Sequence, residues 1–242
     1  MKRTTVFISL ILIVLTQIRA SEIYNQMTEL GEYGSVSSLA HGDMNIQAAD
    51  DFTVPEGQTW EIHALRFIGG HFDCWAGASI EDFSVNVFIY EDEASLPGTP
   101  VASFNNLEHF LSDGARAVNL NDPVSLSSGV YWVSYQWDTG DTNCDVGVRT
   151  RERQTGNPYS WQHGGYLPGI EGCVTWGIGM ECNDVAYDPN LHPDLAFALY
   201  DEHLLMPSEV PTCYLDIPDG FNADTLTRTL FTNLWPPGEP SA

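Results

Sequence analysis

The chain has 242 residues, of which 43% are hydrophobic and 12% aromatic, and its formal net charge is −24. This apolar content is too high for a disordered acidic chain. The negative charge argues against phosphate backbones and anionic lipid as partners, so we expect no nucleic-acid and no membrane-surface binding.

Residues 1–20 have the layout of a secretory signal. Lys2 and Arg3 open it, an apolar run of about ten residues follows, and Ala20 suits the last position before cleavage. The run is shorter than the roughly 20 residues that span a bilayer. We therefore predict export, to the medium or the periplasm, with no membrane insertion after cleavage; an uncleaved N-terminal anchor is the alternative. Cleavage would leave six arginines, no lysine and 33 acidic residues, a net charge of −27.

Residues 21–49 have the composition of an extended N-terminal arm, and strand patterns dominate residues 50–202. Between Phe83 and Tyr90, apolar residues alternate with others at the period of a strand that has one face in a core. Further strands are predicted at 52–54, 60–68, 101–104, 115–120, 130–137, 146–151, 174–178 and 195–200. Short strands separated by Gly, Pro, Asn and Asp predict an all-β fold, an antiparallel β-sandwich or jelly roll.

Residues 203–242 differ from this body because prolines interrupt them repeatedly. Leu226, Leu230 and Leu234 recur every four residues, which predicts one short amphipathic helix. We expect an irregular or partly helical C-terminal tail, packed on the domain or left over from a longer segment.

The five cysteines of an exported chain are expected to form disulfides rather than a metal site. If successive strands alternate in direction, the loops that carry Cys74 and Cys144 lie at the same end of the sandwich, so these two can pair. Cys173 and Cys182 flank one turn-rich stretch and can pair locally. Cys213, in the tail, is then left over.

Several segments resemble a known group of domains. They are YNQ at 24–26, QAADDFTVP at 47–55, Gly57 with WEI at 60–62, FIYED at 88–92, LPG at 96–98, GVYWV at 129–133 and DLAF at 194–197. In these segments, over roughly residues 22–201, the chain resembles β-sandwich domains of secreted proteins from environmental bacteria, often found beside sorting or anchoring modules. The resemblance implies the fold and export, and it implies no catalytic residues.

The sequence offers little for catalysis. With no lysine beyond Lys2, no G-x-S-x-G and no H-E-x-x-H, we expect a protein that is not an enzyme. Aromatic residues in polar, glycine-rich stretches are typical of sugar-binding surfaces, where a ring covers the apolar face of the sugar. The candidate ligand-binding residues are Trp75, Tyr159, Trp161, His163 and Tyr166, with Trp176 nearby. The alternative is that these rings fill the core.

Asp50 and Asp51 precede the first predicted strand of the body, and Asp194 precedes the last. If the terminal strands pair, the three carboxylates approach one another and can hold a structural Ca²⁺ ion. The alternative is acids at strand ends that face water, and no cofactor is required in either case. Three arginines on one strand face are expected to pair with carboxylates: Arg149, Arg151 and Arg153.

The predicted function is binding or structural work outside the cell by a non-catalytic β-sandwich, with extracellular glycan as the first ligand class to test. One alternative is a matrix or surface structural protein that has no small ligand. The other is a secreted hydrolase that acts on polysaccharide or peptide.

Overall fold

The computed structural model describes residues 20–40, 45–74, 79–140, 144–164, 173–182 and 193–206. Residues 1–19 of the predicted signal segment 1–20 lie outside these ranges, as do Trp75, Tyr166, Cys213 and the predicted tail from residue 207 onward. Within the described ranges, no helix is long and apolar enough to cross a membrane.

Fourteen strands and two short helical turns form in the described part of the chain. The strands are β1 (Glu22–Asn25), β2 (Leu30–Val36), β3 (Ser38–Ala40), β4 (Ile46–Phe67), β5 (Gly69–Cys74), β6 (Ser84–Asp92), β7 (Pro97–Leu107), β8 (His109–Ser112), β9 (Ala115–Gly140), β10 (Cys144–Arg151), β11 (Ser160–His163), β12 (Gly177–Ile178), β13 (Asp194–Leu195) and β14 (Phe197–Tyr200). A 3₁₀ turn covers Ile80–Asp82, and one helical turn, α1, covers Gly179–Cys182. The predicted all-β class is confirmed.

The strands form two sheets. The large sheet has ten strands, with β1, β14, β4, β9, β6 and β7 in that order, β11 and β12 beyond β4, and β3 and β8 on β9. The small sheet has four strands, with β13, β2 and β5 all paired to β10. Pairing is antiparallel throughout, except between β3 and β9. The segment expected as an arm therefore supplies β1, β2, β3 and the start of β4 to the two sheets.

Strands β4 and β9 are longer than the sequence pattern suggested. Pro55 and Gly57 were expected to end a strand, but β4 continues past them through a break in register between Val54 and Thr59. Gly57 has a φ of 76°, which glycine adopts without strain. The chain thus uses these residues to bend a strand, as bulges commonly do.

The core lies between the two sheets, because both have an apolar inner face. On β6, Val85, Val87 and Ile89 are buried, and on β10 Val146 and Val148 meet them within one cluster. Burying side chains of this kind stabilises a fold by about 1.5–3 kcal/mol each. The alternation predicted for β6 is confirmed, and its second set of residues defines the opposite surface of the large sheet.

Cys173 and Cys182 form a disulfide, as predicted. It closes the stretch 173–182, which contains β12 and α1, and lies against Gly177, where an added Cβ would meet Cys182 Sγ at 2.5 Å. For the second predicted pair, the backbone register of β5 and β10 places Cys74 directly opposite Cys144. Directly opposed residues of an antiparallel pair have Cβ atoms about 4.5–5.5 Å apart, near disulfide range.

We therefore expect a Cys74–Cys144 bridge in protein produced in an oxidising compartment. Non-reducing digestion and mass spectrometry should recover one peptide that links these two cysteines, and alkylation before reduction should label Cys213 alone. The Cys173–Cys182 peptide serves as the internal control. Alkylation of Cys74 or Cys144 in the native protein would contradict the pairing.

Candidate functional site

The structure places three of the predicted sugar-binding residues in the core. Trp161 is 1% exposed on β11, and its Nε1 donates to the Val36 carbonyl oxygen at 3.1 Å. The His163 ring lies 5.6 Å from the Trp161 ring and is also buried. Tyr159 packs against Gly179, where an added Cβ would lie 2.0 Å from the tyrosine ring. These rings offer no open face to a ligand, whereas Trp75 and Tyr166 fall outside the described residues.

Of the three predicted metal-binding aspartates, Asp50 and Asp194 interact at one junction, whereas Asp51 bonds to Asn157 on the other side of the large sheet. Asp50 accepts hydrogen bonds from the Leu195 amide at 2.7 Å, from Gln26 Nε2 at 2.6 Å and from the Asp51 amide at 2.9 Å. The fully buried Asp194, which precedes Leu195 on β13 of the small sheet, accepts from the Thr155 amide. We call the group formed by Asp50, Asp194, Gln26 and the Leu195 amide the carboxylate junction. Asp50 lies on β4, Asp194 and Leu195 form β13, and Gln26 directly follows β1, so the junction holds three parts of the chain together.

Burial dominates the electrostatics of this junction. Desolvation, and then the charge of Asp194, raise the pKa of Asp50 well above its usual range. Desolvation raises the pKa of Asp194 to about 7, against the opposing effects of the Thr155 amide and the Arg151 guanidinium. Arg151 is itself 3% exposed, and its Nη1 lies 3.8 Å from Asp194 Oδ2. The positive charge facing these acids is therefore an arginine of β10.

Calcium has no ready set of ligands in this junction. All three donors to Asp50 are nitrogen groups of the protein itself. Among the described residues there is no group of three or more His, Cys, Asp or Glu side chains that could hold a metal ion. Calcium at Asp50, Asp51 and Asp194 stays a prediction from the sequence, and the function proposed below does not depend on it.

Asp51 points away from the junction, to the other side of the large sheet. Its carboxylate accepts from the Asn157 amide and from Asn157 Nδ2, both at 3.0 Å. Burial raises the pKa of Asp51 to about 6, against these two hydrogen bonds. At Gly156, with a φ of 81°, an added Cβ would lie 2.5 Å from Asp51 Oδ1, so only glycine fits this approach.

The surface of the large sheet that faces away from the core, which we call the outer face, combines amides and aromatic rings. Cross-strand pairing aligns its residues in rows. One row is Ser160, Ala49, Ser134 and Phe88, on β11, β4, β9 and β6. The row on one side is Asp51, Trp132 and Tyr90. The row on the other side pairs Gln162 with Gln47 and Gln136 with Asn86.

The amides of the outer face are connected by hydrogen bonds. Gln47 Oε1 accepts from Tyr90 Oη at 2.7 Å and from Gln162 Nε2 at 3.3 Å. Gln136 Nε2 donates to Asn45 Oδ1 at 2.8 Å, and Gln136 Oε1 accepts from Asn86 Nδ2 at 3.4 Å. Because Gln136 and Asn86 are 1% and 2% exposed, the network satisfies these buried amides within the protein and fixes the orientation of each.

Four rings form an aromatic cluster at one end of the outer face. Trp176 meets Tyr90 edge-on, with centroids 5.5 Å apart, and Phe88 lies 6.2 Å from Tyr90. Trp132 is fully buried, and its Nε1 donates to Asp92 Oδ1 at 2.9 Å. Phe88 and Trp176 are half-buried, so part of each ring faces outward.

An open cleft of about 440 Å³ lies at the other end of the outer face. Its lining residues are Asp82, Phe83, Ser84, Asn106, Glu108, Asp138, Thr139 and Gly140. Ser84 pairs with Asp138 across β6 and β9, one row beyond Asn86 and Gln136. The backbone N–H of Asn106, which lines the cleft, donates to Asn86 Oδ1 at 2.9 Å. This hydrogen bond connects the cleft directly to the amide network.

Two hydroxyls in the middle of the outer face lack a hydrogen-bond partner. Ser134 Oγ and Ser160 Oγ are buried on either side of Ala49 and bond to none of the described groups. Buried polar atoms are normally paired with protein or ordered water. Because both serines are 0% exposed, a buried water molecule is the partner expected to complete their hydrogen bonding.

No family model matches the chain. A search of curated proteins also finds no match. The case for a function therefore depends on the residues of the outer face and the cleft.

Proposed function

We propose that this protein is an exported, non-catalytic β-sandwich that binds carbohydrate at the two open ends of its outer face, the cleft and the aromatic cluster. The observation that carries the proposal is that an open polar cleft lies at one end of this sheet surface and half-exposed aromatic rings lie at the other. The amide network between them is buried, with Asn86 2% and Gln136 1% exposed, and holds the strands that carry both ends. The proposal keeps the ligand class expected from the sequence but places it on different residues.

The chemistry of this surface matches that of a sugar chain. A sugar ring has an apolar face, which an aromatic side chain can cover, and the partly exposed Phe88 and Trp176 are placed to do so. Its hydroxyls both donate and accept, as amide side chains do. Small-ligand sites commonly combine apolar walls with a few oriented polar groups. In the cleft, Asn106 and Ser84 supply such groups where solvent has access.

Binding to polysaccharides and the variants Phe88→Ala and Trp176→Ala test the proposal. The purified protein should be retarded in native gels that contain at least one of a panel of soluble polysaccharides. Each variant should weaken binding about tenfold or more, because a central aromatic contact commonly contributes over 1.4 kcal/mol. Titration calorimetry with the retarding polysaccharide measures the ratio.

Leu111→Ala is the matched control, since Leu111 is 55% exposed on β8, away from the outer face. It should bind as the unaltered protein does. Absence of retardation across the panel would leave the structural role without a small ligand as the better account. Steady release of reducing ends from a polysaccharide would instead favour the hydrolase.

A further inference from the structure

We propose that cleavage of the signal segment after Ala20 produces an ammonium group at Ser21 that pairs with the carboxylate of Asp201. The new N-terminus is then part of the folded structure, and Asp201 is its counter-ion. The proposal goes beyond carbohydrate binding and rests only on the export that the proposed function includes. Two observations carry it: the contacts between Ser21 and Asp201, and the place of these two residues in the large sheet.

Ser21 and Asp201 bond to each other in both directions. The Ser21 backbone nitrogen donates to Asp201 Oδ1 at 2.9 Å, and the Asp201 amide donates to the Ser21 carbonyl oxygen at 3.1 Å. The first of these contacts involves the nitrogen that becomes an amino group when the chain is cut between Ala20 and Ser21. A carboxylate oxygen therefore lies at hydrogen-bond distance from the atom on which the new positive charge appears.

Cleavage changes the charge of this contact and leaves its two partners in place. Hydrolysis breaks the bond between the Ala20 carbonyl carbon and the Ser21 nitrogen. Water supplies the hydroxyl that completes the carboxyl group of Ala20 and a proton for the nitrogen, and the amine takes up a further proton as that carboxyl group ionises. An α-amino group is largely protonated at neutral pH, so donor and acceptor are then oppositely charged. Attraction between the charges strengthens the hydrogen bond to Asp201.

The pair lies at the outer edge of the large sheet, where its first strand begins. β1 pairs antiparallel with β14, with Glu22 opposite Tyr200, and Ser21 and Asp201 are the next residues along the two strands. Among the described strands, β1 pairs with β14 alone. Chain ends are poorly ordered unless contacts hold them in place. An ion pair at this position holds the beginning of β1 on the sheet.

The other charged groups around the pair have partners of their own or face solvent. Glu22 accepts from Tyr200 Oη at 3.1 Å, and Tyr200 Oη accepts from Arg66 Nη1 at 3.0 Å. Asp201 is half-buried, whereas the next residue, Glu202, is exposed. Among the described acids, Asp201 is therefore the one whose carboxylate contacts the new N-terminus.

The first test asks whether the mature chain begins at Ser21. Protein exported by a bacterial host from its own signal should give serine as its first residue on N-terminal sequencing. Periodate oxidises an N-terminal serine to an aldehyde, so it should convert the exported protein and leave chain that retains the signal unchanged. A different first residue would overturn the proposal.

The second test measures the amino group itself. Lys2 is the only lysine and is removed with the signal, so the α-amino group is the one amine of the mature chain and acylation reports on it alone. Asp201→Asn keeps an oxygen acceptor but removes the charge. A carboxylate partner makes an ammonium hold its proton more tightly, so acylation at pH 7 should be about threefold or more slower in the unaltered protein than in Asp201→Asn.

Glu202→Gln is the matched control, because it removes an exposed charge one residue from Asp201. Its acylation should be as slow as that of the unaltered protein. Equal rates in the unaltered protein and Asp201→Asn would overturn the proposal. Equal acceleration in the two variants would also overturn it, since it would show a general effect of the surface acids. None of these measurements involves polysaccharide, so failure here leaves carbohydrate binding to its own test.

Discussion

Replacing Asp50 by alanine is expected to lower the free energy of unfolding by about 3 kcal/mol or more. The substitution leaves two buried donors, the backbone amides of Asp51 and Leu195, without this acceptor. It also removes one of the two hydrogen bonds of Gln26 Nε2, which keeps the Leu195 carbonyl oxygen. Each orphaned donor costs about 1–3 kcal/mol, and relief of the buried carboxylate's own desolvation offsets part of the sum. Urea titration followed by tryptophan fluorescence measures the change.

Glu61→Ala is the matched control for Asp50→Ala. Glu61 lies on the same strand, β4, but its side chain is exposed, so the expected change is within about 0.5 kcal/mol. If both variants unfold at the same urea concentration as the unaltered protein, the carboxylate junction contributes nothing to stability. A loss confined to Asp50→Ala supports the hydrogen bonds described above.

Stability should fall as the pH rises from about 4 towards 7, the range between the unfolded and folded pKa values of Asp194. Burial raises the pKa of Asp50 well above its usual range and that of Asp194 to about 7. Between the unfolded and the folded pKa, the folded state therefore holds protons that the unfolded chain has lost, and rising pH favours unfolding. The limiting slope is about 1.4 kcal/mol of unfolding free energy per pH unit for each such group.

Asp194→Asn separates this effect from repulsion among the surface acids. The variant has no titrating group at that position, so its profile between pH 4 and 7 should be flatter than that of the unaltered protein. Measuring both in 0.5 M NaCl reduces the surface contribution, because exposed charges are screened and buried ones much less so. Parallel profiles for the two proteins would show that Asp194 does not hold its proton.

Much of the architecture followed from local patterns. The alternation of Val85, Val87 and Ile89 predicted a strand with one buried face, and the structure has that strand. Strand ends were harder to predict. Pro55 and Gly57 have the local sequence of a strand end, but β9 pairs with β4 on both sides of them, so the strand bends there and continues. Bulges depend on the partner strand, which a single sequence does not identify.

In the candidate site, too, some features could be predicted from local sequence and others depend on which strands pair. The proximity of Asp50 to Asp194 was predictable once the terminal strands were assumed to pair. The pairing of Arg151 with Asp194 was not, because the sequence indicated only that three arginines on one strand face would pair with carboxylates. Trp161 was chosen because glycines surround it in sequence, yet β11 pairs with β4 and turns the ring into the core. The sequence indicated a strand at Phe88 but not its place in the aromatic cluster. Its contact with Ser134 depends on the register of β6 and β9, and Trp176 is brought near by the stretch that the Cys173–Cys182 disulfide closes.

Strand β4 carries the carboxylate junction on one side and the outer face on the other. Asp50 points inward to Leu195 and Gln26, while Ala49 and Asp51, its immediate neighbours, point outward to the rows of the outer face. Displacing this stretch of backbone therefore disturbs both sides at once. Because a molecule that binds only the folded protein stabilises it, occupancy of the outer face would oppose the unfolding that rising pH favours through the buried acids.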